Sequence, residues 1–396
     1  MIELKQKIQS LAQDIYPEIL EIRQHLHQNP ELSFEEFNTS EFLCSQLDKM
    51  GIPFTKGLVK TGIVGKIEGK NPHKKVMALR ADMDALPITE NPNNLHCSLN
   101  KGVMHACGHD MHMAGLLGAA RILNQLKEEW EGTVLLLFQP GEELLPGGAK
   151  LMIEQGALNP EPEWVLAQHV LPDMETGTVG FRPGMYMASG DEIYLTVKGQ
   201  GGHAAMPHKL TDTVLIASHI IVALQQIVSR HGDARIPTVL SFGKMIANGA
   251  TNIIPGEVEI AGTFRTMNEE WRAKAKQLIC DIAQSTAKSM GGECEVRIVD
   301  GYPFLVNHEA NTRKAQNWAR EFLGEEKVTE MDIRMTTEDF GYYTQKYPST
   351  FYRFGVQSNK QDKISALHTS NFQADEEALL TGMGVMAWLA VSFLNK

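Results

Sequence analysis

Thr133-Val-Leu-Leu-Leu-Phe-Gln-Pro-Gly-Glu-Glu143 decides how this chain is read. From Thr133 to Phe138 the apolar run is continuous, without the alternation of a strand that shows one face to water. Such a strand needs cover on both faces, which a mostly parallel sheet flanked by helices supplies. Two adjacent glutamates, Glu142 and Glu143, follow it almost at once.

Upstream, Gly62–Glu68 and Lys75–Arg80 read as strands, and Met111–Leu126 as a helix with small residues on one face. Apolar residues recur at helical spacing in Ile8-Leu11-Ile15 and Ile19-Ile22-Leu26, with Pro17 either starting a helix or interrupting one. Downstream come a short helix candidate, Gly148–Glu154, and a second buried strand, Trp164–Gln168. The rhythm then changes. Glu192–Lys198 alternates as a half-buried strand, and a helical pattern runs from Asp212 to Ser229. Strands at Thr238–Met245 and Glu257–Arg265, a helix at Glu269–Met290 and a strand at Cys294–Val299 follow. Strand-helix-strand-strand-helix-strand is the ferredoxin-like order. The expected organisation is therefore an α/β domain over residues 1–185, an inserted ferredoxin-like α+β domain over 186–299, and a return to the first domain over 300–396. The terminal helix is expected at Ala374–Leu394.

With 396 residues, 43% hydrophobic and 21% charged, the chain has material for two or three domains and a sizeable core. A net charge of −11 argues against a nucleic-acid partner. It also means that a carboxylate on a substrate would need local Arg, Asn or His to hold it. The cysteines, Cys44, Cys97, Cys107, Cys280 and Cys294, are odd in number and widely spaced, unlike a disulfide framework. The N-terminal stretch lacks the apolar core of a signal peptide, and no apolar run approaches 18 residues. No membrane span is expected, and a reducing cytoplasm is the expected location.

Four segments concentrate reactive side chains, each just past a predicted strand, where open α/β sheets bind ligands. In Leu79-Arg-Ala-Asp-Met-Asp-Ala-Leu-Pro87, Asp82 and Asp84 are placed to orient metal-ligating histidines or to touch a metal; the alternative is a solvated loop with a capping Asp. Met104-His-Ala-Cys-Gly-His-Asp-Met-His112 packs three histidines, a cysteine and an aspartate into nine positions. Cys107 and His109, one residue apart, are good ligands for zinc and similar ions, with His105 and His112 supporting or structural. In the opening stretch, adjacent side chains diverge, so one glutamate can bind metal while the other faces an attacking water; a surface acidic pair is the alternative. His169 ends the strand Val165-Leu-Ala-Gln-His169, and His368 follows the strand segment Phe351–Val356; either is a plausible ligand or a structural histidine. The inserted domain adds His203 in the glycine-rich loop Gly199–His208, Asn252, and Arg265, which can bind a carboxylate bidentately or form a surface salt bridge.

As a set, these segments resemble the M20 metallopeptidase family, in its branch of aminoacylase-like amidohydrolases that includes hippurate hydrolases, N-acetyl-diaminopimelate deacetylases and auxin-conjugate hydrolases. The resemblance rests on Arg23–Glu35, Arg80–Pro87, Met104–His112, Gln139–Glu143, Gly201–His208, Gly262–Thr266 and Thr337–Gly341, in the expected order along nearly the whole chain. It implies hydrolysis of the amide bond of N-acyl amino acids at two divalent ions per subunit, with zinc, manganese, cobalt and nickel all acceptable to the ligand set. It implies Cys107, His109, Glu143, His169 and His368 as ligands, Cys107 bridging the two ions. Glu142 is implied as general base, and Asp82 or Asp84 as the orienting aspartate. His203, Asn252 and Arg265 are implied to meet substrate from a lid domain that also makes a homodimer. One departure is Gly141, where many relatives carry Ala. A metallo-dipeptidase or carboxypeptidase shares this chemistry, and a catalytically silent binding protein shares the fold.

Overall fold

The computed structural model describes residues 1–358 and 366–395. The chain divides into two compact units: Met1–Gly184 with Val306–Asp332 and Tyr342–Lys396, and Met185–Leu305 with Ile333–Gly341. Each has its own apolar core.

The first unit is built on an eight-stranded sheet in the order Phe54–Leu58, Gly62–Glu68, Thr133–Gln139, Val76–Asp82, Trp164–Glu175, Ser349–Gln357, Val179–Phe181, Val328–Glu330. Its four middle strands run parallel, and Gly62–Glu68 joins them antiparallel. Every residue of Thr133–Gln139 is buried, as a continuous apolar run requires. The helices Ile2–Gln28, His109–Gln125 and Ala378–Leu394 pack against one another. The last two are buried nearly all round, as helices enclosed in a core are. Pro17 lies inside the first helix, so Ile8 to Leu26 forms one element rather than two. Trp164–Glu175 runs beyond the expected Gln168 because Ser349–Gln357 pairs with it from Val165 to Glu175. His169 is therefore held within a strand.

The second unit is a four-stranded antiparallel sheet, Thr238–Ile246, Glu257–Thr266, Asp191–Lys198, Glu293–Asp300 in spatial order, which is the ferredoxin-like arrangement. The helices Thr213–Leu224 and Glu269–Ser289 supply their apolar faces to its core. The first of these continues through a π-turn to His231. Over Thr213–His231 it is long and apolar enough to cross a bilayer, yet Ile216, Ala217, Ile220 and Leu224 are buried against the sheet. The unit extends past the expected residue 299 and takes in 333–341 through backbone hydrogen bonds. Gly190 N–H donates to the Tyr302 carbonyl at 3.0 Å, and Ala188 N–H to that of Arg334 at 3.1 Å.

Candidate metal centre and active site

Parallel register brings three of the predicted segments to one edge of the first sheet. Asp82 pairs with Gln139 across adjacent strands, so Asp82–Asp84 and Gln139–Glu143 leave the sheet side by side, with His169 on the strand flanking Val76–Asp82. The fourth segment arrives through a turn. Gly108 has φ +80° and precedes the helix His109–Gln125. A Cβ there would lie 2.6 Å from Val170 Cγ2, so only glycine lets Cys107 and His109 take this turn against the strand. The His368 loop is tied to the same turn: its N–H donates to the Ala106 carbonyl at 2.9 Å.

The donor atoms converge. Cys107 Sγ lies 3.4 Å from His169 Nε2 and 3.3 Å from His368 Nε2. Two trios, Cys107-His109-His169 and Cys107-Glu143-His368, each have ligand atoms within 4.8 Å of one another and share the sulfur. Glu142 joins His109 and Glu143 in a third such group. The histidines are oriented by their far nitrogens. His109 Nδ1 lies 2.8 Å from the Asp84 carbonyl and His169 Nδ1 2.8 Å from that of Val170, which fixes the tautomer and turns each Nε2 inward. His109 Nε2 is buried without a hydrogen-bond partner among the described residues, and Glu143 Oε1 lies 3.3 Å from His368 Nε2.

The two aspartates divide their work. Asp82 accepts from Arg80 Nη1 at 2.6 Å and His112 Nδ1 at 2.6 Å. Burial opposes its ionisation, but Arg80, His109 and His112 hold its carboxyl well below the usual range. Asp84 accepts from Ser33 Oγ at 2.6 Å and from Glu143 N–H at 2.9 Å, tying the two site loops together. His112 does not offer a free nitrogen. Its Nδ1 faces Asp82 and its Nε2 accepts Val170 N–H at 3.0 Å, so it links Asp82 to the His169 strand.

The field is strongly negative. Burial, Glu143, Glu142 and Asp82 together push the Cys107 thiol well above its ordinary range. Burial opposes protonation of His109, yet Asp82, Asp84 and Glu143 push it up to about 10. Such a cluster is suited to divalent cations, which would replace those protons. The soft thiolate, imidazoles and carboxylate, with one sulfur common to both trios, are a donor set that fits divalent metal ions.

Behind the helix start lies a buried ionic network that the sequence pattern left without a role. Asp110 Oδ2 is 2.9 Å from Arg23 Nε and 2.8 Å from His27 Nδ1, and His27 Nε2 is 3.1 Å from Glu90 Oε1. The only local signal was the i,i+4 spacing of Arg23 and His27, which places them on one helix face.

His203, Asn252 and Arg265 belong to the second unit. A two-residue ladder pairs His203 with Ile253, and Ala204 N–H donates to the Asn252 carbonyl at 3.0 Å, so the first two are neighbours. His203 is exposed, and its Nδ1 accepts Ala205 N–H at 3.1 Å. With Nδ1 accepting, the tautomer that fits carries its proton on Nε2. Arg265 is half-buried; its Nη1 lies against the Thr263 hydroxyl and the Asp191 and Phe264 carbonyls, while Nε and Nη2 have no partner among the described residues.

The model of peptidase family M20/M25/M40 matches residues 78–392. The chain is 39% identical over 317 residues to the N-acyl-L-amino acid amidohydrolase of Geobacillus stearothermophilus, covering 80% of this chain and 85% of that one. It is 38% identical to thermostable carboxypeptidase 1 of Saccharolobus solfataricus over the full length of both. Among solved structures it superimposes on the Bacillus subtilis YXEP protein, a dinuclear metal binding peptidase from the M20 family, with TM-score 0.81, 31% identity and coverage of 96% and 99%. The donor cluster at the sheet edge thus stands in a chain that belongs to the M20/M25/M40 peptidase family and is a hydrolytic enzyme acting on amide bonds.

Proposed function

We propose that the substrate is an N-acyl amino acid, cleaved to a carboxylic acid and a free amino acid. The observation that carries this reading is the pair of donor trios sharing Cys107, with Glu142 beside them and outside both. Cys107, His109, Glu143, His169 and His368 would hold two divalent ions, which when bound supply Lewis acidity toward water and the acyl carbonyl. Glu142 takes the proton of the attacking water and returns it to the leaving amine as the C–N bond breaks. Asp82 and Asp84 keep the ligands in place, Asp82 through Arg80 and His112, Asp84 through His109 and Glu143. His203 donates from Nε2 to the developing oxyanion. Arg265 and Asn252 hold the carboxylate of the amino-acid half.

His203 lies in a different unit from every proposed ligand, and in this reading it acts across a homodimer, from the lid unit of one chain into the centre of the other. The second unit offers a face for such pairing. Leu215 and Val222 are exposed on its apolar helix, and Thr238–Ile246 is the edge strand of its sheet, paired on one side with Glu257–Thr266, with Val239 and Met245 exposed. Mixing His203→Ala and Glu142→Ala chains under subunit exchange regenerates one intact site per mixed dimer and so restores activity; no recovery despite demonstrated exchange would sink the trans arrangement. Cytoplasmic placement fits five free thiols.

The test of substrate class is a panel of N-acetyl and N-benzoyl amino acids, dipeptides and carboxyl-blocked analogues, assayed after reconstitution with zinc, manganese, cobalt or nickel. The carboxypeptidase among the relatives favours one second reading, cleavage of C-terminal residues from peptides. Turnover of peptides with none of N-acyl amino acids would establish that reading instead.

A further inference from the structure

One sequence segment, Glu31-Leu-Ser-Phe-Glu-Glu36, is bound into the site without belonging to the ligand set. Glu36 is fully buried. Its Oε1 accepts Gly141 N–H and Phe34 N–H, both at 2.9 Å, and its Oε2 accepts the Thr61 hydroxyl at 2.7 Å. Gly141 is the residue before Glu142, and its carbonyl is held from the other side by Gly148 N–H at 2.9 Å. Phe34 has φ +64°, a left-handed conformation that a bulky side chain adopts only under constraint. Its ring lies where a side chain on Gly141 would be: a Cβ built there runs into Cε1 and Cζ of Phe34. Gly141 itself has φ +61°. A strained aromatic, a buried carboxylate and a glycine turn are thus locked together one residue before the base.

We propose that Glu36 and Phe34 are positioning residues for Glu142. Glu36 fixes the Gly141 peptide plane by accepting its N–H, and the Phe34 ring closes the space into which the turn would otherwise relax. Together they set the direction in which the Glu142 carboxylate leaves the backbone. The gain is in orientation, since a base displaced by a fraction of an ångström transfers its proton less well in the transition state while substrate still binds. The proposal rests on Glu142 being the general base.

The experiment compares Glu36→Ala, Glu36→Gln and Glu142→Gln in the metal-reconstituted enzyme, reading kcat, KM, bound metal and the pH–rate profile. Glu36→Ala is expected to lower kcat at least tenfold and to shift the acid limb of the profile, with KM and metal content unchanged. Glu36→Gln keeps an oxygen that can accept from Gly141 N–H and is expected to recover most of kcat. Wild-type kcat in Glu36→Ala overturns the proposal, as does a parallel loss of kcat, metal and stability in both Glu36 variants, which marks a merely structural role. Glu142→Gln separates the two readings: full activity there refutes the base assignment, whereas an inactive Glu142→Gln beside a fully active Glu36→Ala refutes only the positioning. Should Glu36→Ala prove insoluble, Gly141→Ala is compared with Phe34→Ala/Gly141→Ala. The single variant is expected to lose at least tenfold in kcat and the double to regain part of it at unchanged KM; no difference between them overturns the clamp.

Discussion

In the first unit Asp82, Cys107, His109 and His169 are all nearly inaccessible, and each has a hydrogen-bond partner within the same unit. In the second, His203 and Asn252 are exposed and Arg265 is half-buried, while two of its buried charges form a bidentate pair, Arg272 on Asp191 at 2.6 and 2.8 Å. The first unit therefore buries ionisable groups that lack full internal compensation and fit cations. The second pairs Asp191 with Arg272 inside and carries His203 and Asn252 at its surface. Substitutions in the first should disturb metal, stability or the base, whereas those in the second should act on turnover or affinity and leave fold and metal alone.

The largest expected effect is Glu142→Gln. It removes a proton acceptor but no member of the two trios, so turnover should fall by about 10²–10⁴-fold with both metals retained. Loss of metal in this variant, with Glu143→Gln keeping it, would reverse the two roles. Asp82→Ala comes next. It leaves the Arg80 guanidinium and His112 Nδ1 buried without their carboxylate, an expected cost of about 3–5 kcal/mol in unfolding free energy together with weakened metal binding. An unchanged melting temperature would mean that the site is not built on that buried pair.

Glu36 sharpens the comparison through pH. Burial, with the Asp84 charge nearby, raises its carboxyl from 4.5 to about 7. A folded-state value above the unfolded one favours the protonated fold. The stability it contributes is complete below pH 4.5 and is lost as pH rises through about 7. The total is on the order of 3 kcal/mol. Glu36→Gln, which does not titrate, should therefore gain on the wild type in chemical denaturation at pH 8 relative to pH 5. Parallel stability curves across that range would count against an ionisable Glu36 buried as described.

The smallest effect expected is in the second unit. Arg265→Ala should raise KM for free-acid substrates by the equivalent of about 1.5–3 kcal/mol, while carboxyl-amidated analogues lose little further. Its metal content and melting temperature should match the wild type. Equal losses on acid and amide would remove Arg265 from carboxylate recognition, and a loss of metal would erase the contrast between the units.

Much of this architecture was legible locally. An apolar run without alternation reports a strand covered on both sides, and Thr133–Gln139 is that. The spacing of strands and helices from Glu192 to Val299 carried the ferredoxin-like order, because amphipathic periodicity is a property of neighbouring residues. The chemical types of the site, thiol, imidazole and paired carboxylates, were equally visible, as was their place after predicted strands. What the sequence by itself left open were pairings between distant segments. Asp82 meets Arg80 and His112 whereas Asp84 meets Ser33 and Glu143, and these pairings depend on which strand lies beside which. His112 reads from the sequence as supporting or structural, and its two nitrogens are engaged by Asp82 and Val170. Nothing local marks Glu36, which meets Gly141 across 105 positions. Residues 333–341 join the second unit through backbone hydrogen bonds that no side-chain pattern announces. Periodicity and residue type act over a few bonds of chain, so sequence determined them; hydrogen-bond partnership requires atoms within about 3 Å, and only the packed tertiary structure brings such distant groups that close.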